Sequence, residues 1–272
     1  MYKRQATLTQ SDADLLLLNL EGTHSNGVTL ADVSDNDTVN AAGSTQGIFV
    51  FGGVGSDTIN TGSGEDIIIS DRGVIEYLNA EVAIVDLLED VLGFVKERRD
   101  SGQVIASIRS VDVEVGMGDF VNSGAGNDIV IGGSFDDSIE ALGGDNILIG
   151  DNGTINYLST DSDSTTLDEV TTQDDYYGGV DTIITGTGND ILIGSSLNDV
   201  LTSSGGNNIV LGDRGYIRYL NGFLDEISST FLDEGLGDTI TTGDGDDIVI
   251  AGIGNNTPVS YTHLTLPTTS RV

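Results

Sequence analysis

Apolar and polar positions along this chain come in short bursts that keep a period of nine. From Asp119 to Tyr157 the residues read DFVN-SGAGNDIVI-GGSFDDSIE-ALGGDNILI-GDNGTINY. An acid or amide recurs at Asp119, Asp128, Asp137 and Asn146, mostly after glycine, and a brief β-branched run follows each. This is a loop-strand unit nine residues long. The whole stretch recurs at a shift of 62, from Asp181 to Tyr219, without a gap and with 19 of 39 positions identical. Such periodicity predicts a solenoid whose core is long and thin.

Two partial copies flank these. Asp57 sits in GGVGSDTIN and Asp66 in TGSGEDIII, in a block closed by SDRGVIEY and aligned at an offset of 80. Asp238 and Asp247 sit in GLGDTITTGDGDDIVI. The repeat blocks are thus about 31–77, 116–157, 178–219 and 235–256, with insertions at 78–115, 158–177 and 220–234. In the first insertion Ile84, Leu87, Leu88, Val91 and Val95 share one helical face, predicting a helix near 80–98. Its acids (Glu81, Asp86, Glu89, Asp90) precede the basic cluster Lys96, Arg98 and Arg99, as the helix dipole favours. Val111, Val113 and Val115 alternate with acids, as a half-buried strand does. Residues 158–177 are Ser/Thr/Asp-rich and read as a loop. Phe223, Leu224, Ile227, Phe231 and Leu232 mark a short amphipathic segment. The run Leu15–Leu18 fits either a strand or a helix end.

Charge narrows the function. There are 44 Asp+Glu against 10 Lys+Arg, a formal net charge of −34. That excess excludes nucleic acid and anionic membranes as partners, and it pushes a compact state apart unless cations neutralise it. No apolar run approaches the length of a membrane span, so no membrane insertion is expected. Cysteine is absent, so there is neither a disulfide nor a thiolate metal site. The ends stand apart from the rest. Residues 1–5, MYKRQ, and 259–268, VSYTHLTLPT, resemble translated sequencing adapter, and 1–5 and 258–272 read as adapter-derived artefact. The repeat fragment then spans 6–257 and belongs to a longer reading frame. The tails hold Lys3, Arg4 and Arg271 but no carboxylate, so the fragment is more acidic still.

GGVGSDTIN at 52–60 resembles the nonapeptide G-G-x-G-x-D-x-U-x of repeats-in-toxin (RTX) proteins. SGAGNDIVI, TGTGNDILI, TGSGEDIII and TGDGDDIVI resemble it with the first glycine replaced. The resemblance covers about half of 6–257, and its tandem copies make it specific. It implies an all-β fold, a right-handed parallel β-roll or β-helix solenoid, here carrying a helical insertion. Two nonapeptides would make one turn, with calcium ions between turns held by aspartates and glycine-loop carbonyls. The chemistry agrees, because calcium takes about six to eight hard oxygen ligands and glycine turns expose carbonyls.

The candidate metal ligands are Asp57, Asp66, Asp119, Asp128, Asp137, Asn146, Asp181, Asp190, Asp199, Asn208, Asp238 and Asp247. With two repeats per turn, Asp119 faces Asp137, Asp128 faces Asn146, Asp181 faces Asp199 and Asp190 faces Asn208. The alternative at each position is a plain turn, since Asp and Asn bond their own loops. Asn146 and Asn208 are neutral, which predicts weaker or half-formed sites. The Asp137 and Asp199 loops, SFDDSIE and SLNDVLT, lack the second glycine pair. Asp71, Asp151 and Asp213, each in a D-x-G that ends a block, read as turn or cap formers. Tyr77, Tyr157 and Tyr219 close the core edge.

The residue two after each repeat acid should point inward, because alternate strand side chains face opposite ways. Its flanks then point out. They are apolar at alternate turns, as at Ile67 and Ile69 or Ile129 and Ile131, and mostly polar at the others, as at Thr58 and Asn60 or Ser138 and Glu140. One sheet would therefore expose an apolar face unless covered. The insertions are expected to cover it.

Other chemistry has little to build on. His24 is the only histidine outside the tails, which leaves no basis for a triad or a zinc cluster. The repetition of carboxylate pairs argues against a glycosidase, and glycines preceding acids argue against phosphate. The chain is not expected to be an enzyme. The function expected is a calcium-binding module of a large secreted bacterial protein, folding and rigidifying on extracellular calcium, structural or adhesive, with any cell-surface or matrix partner undefined. The resemblance implies type I secretion. Two alternatives stand beside it. One is the C-terminal roll of a secreted protease or lipase whose catalytic domain lies outside the fragment. The other is a calcium-independent solenoid spacer.

Overall fold

Short strands alternate with tight loops, as the nine-residue spacing demands. A computed structural model describes residues 5–7, 16–19, 36–77, 105–158, 166–173, 176–230 and 236–260, and every regular element among them is a strand. The helical insertion expected near 80–98 lies outside the described residues, with Ile84, Leu88, Val91 and the Lys96–Arg99 cluster.

Two parallel sheets build a solenoid. The first has nine strands, among them Thr58–Asn60, Phe120–Gly124, Ser138–Ala141, Thr182–Thr185, Val200–Ser203 and Thr239–Thr242. The second has eight, among them Ile48–Phe51, Ile67–Ile69, Ile129–Ile131, Ile147–Ile149, Ile191–Ser195, Ile209–Asp213 and Ile248–Ile250. Successive repeats enter the two sheets in turn, so one circuit takes two repeats. Ile129 accordingly pairs with Ile147, and Phe120 with Ser138. Where an insertion intervenes the stack closes over it, pairing Ile67 with Ile129 and Ile147 with Ile191. The residue two after each repeat acid points inward. Ile59, Ile68, Val121, Val130 and their equivalents through Val249 form one buried core between the sheets. Burying each such side chain contributes roughly 1.5–3 kcal/mol.

The outer face of the second sheet is apolar, and it is covered. The cover is a six-stranded antiparallel sheet in the order Phe223–Ser229, Gly215–Leu220, Glu169–Thr172, Gly153–Asn156, Ile105–Ser110 and Gly73–Tyr77. From it Ile75, Ile108, Ile155, Val170 and Ile217 pack on Ile67, Ile69, Ile131, Ile149, Ile193 and Leu211 to make a second core. Tyr77, Tyr157 and Tyr219 are partly buried and pack against it. The insertions shield the apolar sheet only in part: Ile108 and Val170 come from the insertions at 78–115 and 158–177, Ile75, Ile155 and Ile217 come from the ends of the repeat blocks, and Phe223 and Leu224 of the third insertion are exposed. The far side of the cover is polar. There Arg218 bridges Glu169 at 3.0 Å and Glu226 at 2.9 Å. Among the described residues no element covers the outer face of the first sheet, where Phe120, Ile184 and Val200 are exposed beside polar residues.

Three local expectations change. The stretch 158–177 is not loop throughout, because Glu169–Thr172 pairs on both sides, with Gly153–Asn156 and Gly215–Leu220. Tertiary pairing overrides its polar composition. Val111–Val115 is not a strand. The strand is Ile105–Ser110, and the chain then turns at Asp112, whose φ is +52° and whose carbonyl accepts the Val115 N–H at 2.9 Å. The amphipathic segment after 220 is a hairpin arm. Asn221 and Gly222, at φ +52° and +74°, join Gly215–Leu220 to Phe223–Ser229, the two-residue turn that Asn-Gly favours. Phe231 and Leu232 lie outside the described residues. The expected fragment limits fall inside the outermost strands of the first sheet, Gln5–Thr7 and Thr257–Ser260.

Ile149 is fully buried under the antiparallel cover, while Ile184 lies on the open face. Ile149→Ala should cost roughly 2–5 kcal/mol of folding free energy in calcium buffer. Ile184→Ala should change it by less than about 0.5 kcal/mol. Urea denaturation of the two variants checks the contrast.

Candidate metal centre

Each repeat acid stands where a glycine-rich loop enters a strand, so stacking the strands stacks the acids. Two columns result. At the entrance to the first sheet stand Asp57, Asp119, Asp137, Asp181, Asp199 and Asp238, and at the entrance to the second stand Asp66, Asp128, Asn146, Asp190, Asn208 and Asp247; all twelve are buried. One side-chain oxygen of each has a fixed task, which is to accept the backbone N–H of the residue one turn back. In the first column the N–H of Asp119 reaches Asp137 Oδ1 at 2.7 Å, that of Asp137 reaches Asp181 at 2.8 Å and that of Asp181 reaches Asp199 at 2.8 Å. In the second column the N–H of Asp66 reaches Asp128 at 2.9 Å and that of Asp128 reaches Asn146 at 3.0 Å.

The second carboxylate oxygen has no such task. Oδ2 of Asp119, Asp137, Asp181, Asp199, Asp238 and Asp247 is buried without a hydrogen-bond partner. In the first column it lies against bare glycine at the end of a second-sheet strand. A Cβ on Gly150 would overlap Asp181 Oδ2, and one on Gly194 would overlap Asp199 Oδ2. A buried, unbonded carboxylate oxygen is costly. Burial accordingly raises Asp66 to about 6, Asp128 and Asp238 to about 7, and Asp199 to about 10. Asp119, Asp137 and Asp181 are pushed well above the usual range, first by burial and then by neighbouring carboxylates, chiefly Asp71, Asp181 and Asp151 in that order.

The family model for the RTX calcium-binding nonapeptide repeat matches in four copies, at residues 49–74, 122–154, 184–216 and 237–258. These are RTX calcium-binding nonapeptide repeats. Comparison with curated proteins and with solved structures gives no match.

The residues fit the ion. Among the described residues no three carboxylates converge on one point, so the RTX acids can supply only part of a calcium shell of about six to eight oxygens. Backbone carbonyls of the glycine loops would supply the remainder. The loops of the second column stack so closely that a Cβ on Gly126 would overlap the Gly64 carbonyl oxygen, and one on Gly144 that of Gly126. Glycine is required there, and the result is a file of carbonyl oxygens beside the acids. The chain thus places hard oxygens of both kinds together, with surplus negative charge.

Every expected pair 18 apart is adjacent: Asp119 with Asp137, Asp128 with Asn146, Asp181 with Asp199, and Asp190 with Asn208. The first column also runs further than the sequence reading took it. Asp37, whose N–H reaches Asp57 Oδ1 at 2.7 Å, and Asn256, whose Oδ1 takes the Asp238 N–H at 2.7 Å, continue it at either end. Asn256 follows Asp247 by nine, a usable signal; Asp37 precedes Asp57 by 20 and has no glycine directly before it.

The D-x-G aspartates are staples between loops. Asp151 accepts the N–H of Gly179 at 2.7 Å and of Ser196 at 2.8 Å, Asp71 accepts that of Ser134 at 2.7 Å, and Asp213 that of Ile253. Asp71 rises to about 8 through burial. The glycine-poor RTX loops keep the path of the others at a cost. Phe135 and Leu197 hold φ of +70° and +73° where Gly55 stands at +132°. Left-handed backbone costs a non-glycine residue roughly 1–2 kcal/mol, so Leu197→Gly should raise the melting temperature by relieving up to about 1 kcal/mol of it.

The raised carboxyls fix a pH dependence. A group raised when folded contributes stability that is complete below its unfolded value, 3.8, and is lost as pH climbs through the folded value, here about 6 to 10. In metal-free buffer the melting temperature should therefore rise as pH is lowered from 8 towards 5. With saturating calcium that gain should vanish, because protons then compete with the ion. Thermal melts followed by circular dichroism decide it, and a melting temperature that falls on acidifying metal-free buffer contradicts the burial of these groups.

Proposed function

We propose that this chain is a calcium-gated structural segment of a secreted repeat protein. It stays loose where calcium is scarce and sets into a stiff solenoid where calcium is plentiful. The observation that carries the reading is the buried, unbonded Oδ2 of Asp119, Asp137, Asp181, Asp199, Asp238 and Asp247. A turn former uses one oxygen, and Oδ1 performs that role at every step. A calcium-independent spacer gives Oδ2 no reason to be a charged atom out of water. A cation gives it one.

The rest follows from linkage. An ion that binds the folded state alone stabilises it in proportion to the logarithm of its concentration. Extracellular calcium modules typically work at about 10⁻⁴ to 10⁻³ M, which suits a chain exported unfolded by type I secretion and folded outside. RTX repeat proteins are typically secreted. The role is structural or adhesive rather than catalytic, since one acid is reused at every turn. The coil is right-handed, in keeping with the strong preference of parallel crossover connections.

A calcium titration of the full chain followed by far-ultraviolet circular dichroism tests the reading. The chain should keep only part of its β-structure in chelator, melting well below the calcium-loaded form, and gain the rest at millimolar calcium. Magnesium should substitute poorly, because it demands a small octahedral shell and gives up its waters reluctantly. Full β-structure in chelator, unchanged by calcium, would count against the gating.

A further inference from the structure

The asparagines of the two columns do something their aspartate equivalents cannot. Oδ1 of Asn146 takes the N–H of Asp128 at 3.0 Å, which turns its Nδ2 toward the loop. There Nδ2 donates to the carbonyls of Gly144 at 3.1 Å and Gly143 at 3.3 Å, and to Asp190 Oδ1 at 2.9 Å. Asn208 repeats the pattern. Its Oδ1 takes the N–H of Asp190 at 3.0 Å, and its Nδ2 donates to Gly206 at 3.1 Å, Gly205 at 3.5 Å and Asp247 Oδ1 at 2.9 Å. Asn256, in the other column, donates to Gly252 at 3.2 Å and Ile253 at 3.3 Å.

We propose that Asn146 and Asn208 are permanently closed joints, in which the side-chain amide does the work that calcium does at the aspartate positions. The inference rests on the calcium reading above. At an aspartate such as Asp247, the atom equivalent to Nδ2 is a buried carboxylate oxygen without a hydrogen-bond partner, which a cation can satisfy and a loop carbonyl cannot. At an asparagine the same place holds an N–H donor, and the amide joins two carbonyls to the carboxylate of the next turn. Such a joint has neither the charge nor the free oxygens to take an ion, so calcium loads the aspartate joints only.

The placement of these joints has a consequence. Asn146 opens Ile147–Ile149 and Asn208 opens Ile209–Asp213, the last second-sheet strands before the chain leaves for the antiparallel cover at Gly153–Asn156 and Gly215–Leu220. The metal-free joints therefore sit where the roll is tied to its cover, and those two ties hold before any ion binds.

The test uses the full chain, with bound calcium counted by equilibrium dialysis and melting followed in chelator. Asn146→Asp and Asn208→Asp should each add about one bound ion per chain, lower the melting temperature in chelator and recover it in calcium. Asp190→Asn should do the reverse, losing about one ion and melting later in chelator. Asn221→Asp, in the exposed hairpin turn, makes the same charge change away from both columns, keeps a favoured turn sequence and should alter neither readout. If Asn146→Asp and Asn208→Asp bind no more calcium than the parent chain and melt alike in chelator, the closed joints are refuted. A parent chain that binds no calcium defeats the calcium reading, while a lower melting temperature of the two variants in chelator would still uphold the amide joint.

Discussion

Carboxylates stacked one strand apart and withdrawn from water set the terms for everything else in this chain. Neighbouring strands are about 4.8 Å apart, so the parallel stacking that builds the solenoid brings the acids into file. The backbone resolves half the conflict. Each Oδ1 takes an N–H from the neighbouring turn, which locks the register of successive repeats, and among the described residues no donor answers the Oδ2 of Asp119, Asp137, Asp181, Asp199 or Asp238. The glycines follow from the same constraint, since loops must approach closely enough for carbonyls to stand beside the acids. The net charge of −34 is its outward sign.

A second constraint comes from the roll's asymmetry. Its two sheets share one thin core, and the second sheet carries apolar side chains on both faces, isoleucines dominating the outer one. Without a cover that outer row would lie in water. The ends of the repeat blocks answer it by growing strands directly from the D-x-G staples, which strands of the insertions then extend, so that Asp71, Asp151 and Asp213 tie the loops together just where the chain departs. Among the described residues one sheet is thus covered and the other is open. The open one is not purely polar, since Phe120, Ile184 and Val200 break its surface.

Much of this was legible in the residues. The period of nine fixed the loop-strand unit, and the RTX resemblance supplied two repeats per turn. With those in hand, the pairing of Ile129 with Ile147 and the inward position of Val130 follow from alternation alone. The apolar flanks also required a cover. Its architecture was not legible, because Glu169–Thr172 becomes a strand only through partners on both sides, and its own composition speaks for a loop. The Asn221-Gly222 hairpin carried a local signal that the amphipathic run beside it obscured. At the site, the columns were readable from spacing, but the division of labour between the two oxygens was not. Spacing places an aspartate and an asparagine alike; only the hydrogen-bond directions separate a position that asks for a cation from one that supplies its own donor.

The central claim is that the buried columns hold calcium. Anomalous diffraction from crystals grown in calcium addresses it directly. The account predicts peaks within about 2.3–2.6 Å of the column carboxylates, at Asp137, Asp181 and Asp199 among others, and none against the amides of Asn146 and Asn208. Columns without density, with ions only at exposed acids such as Asp136, Asp145 and Asp246, would contradict it.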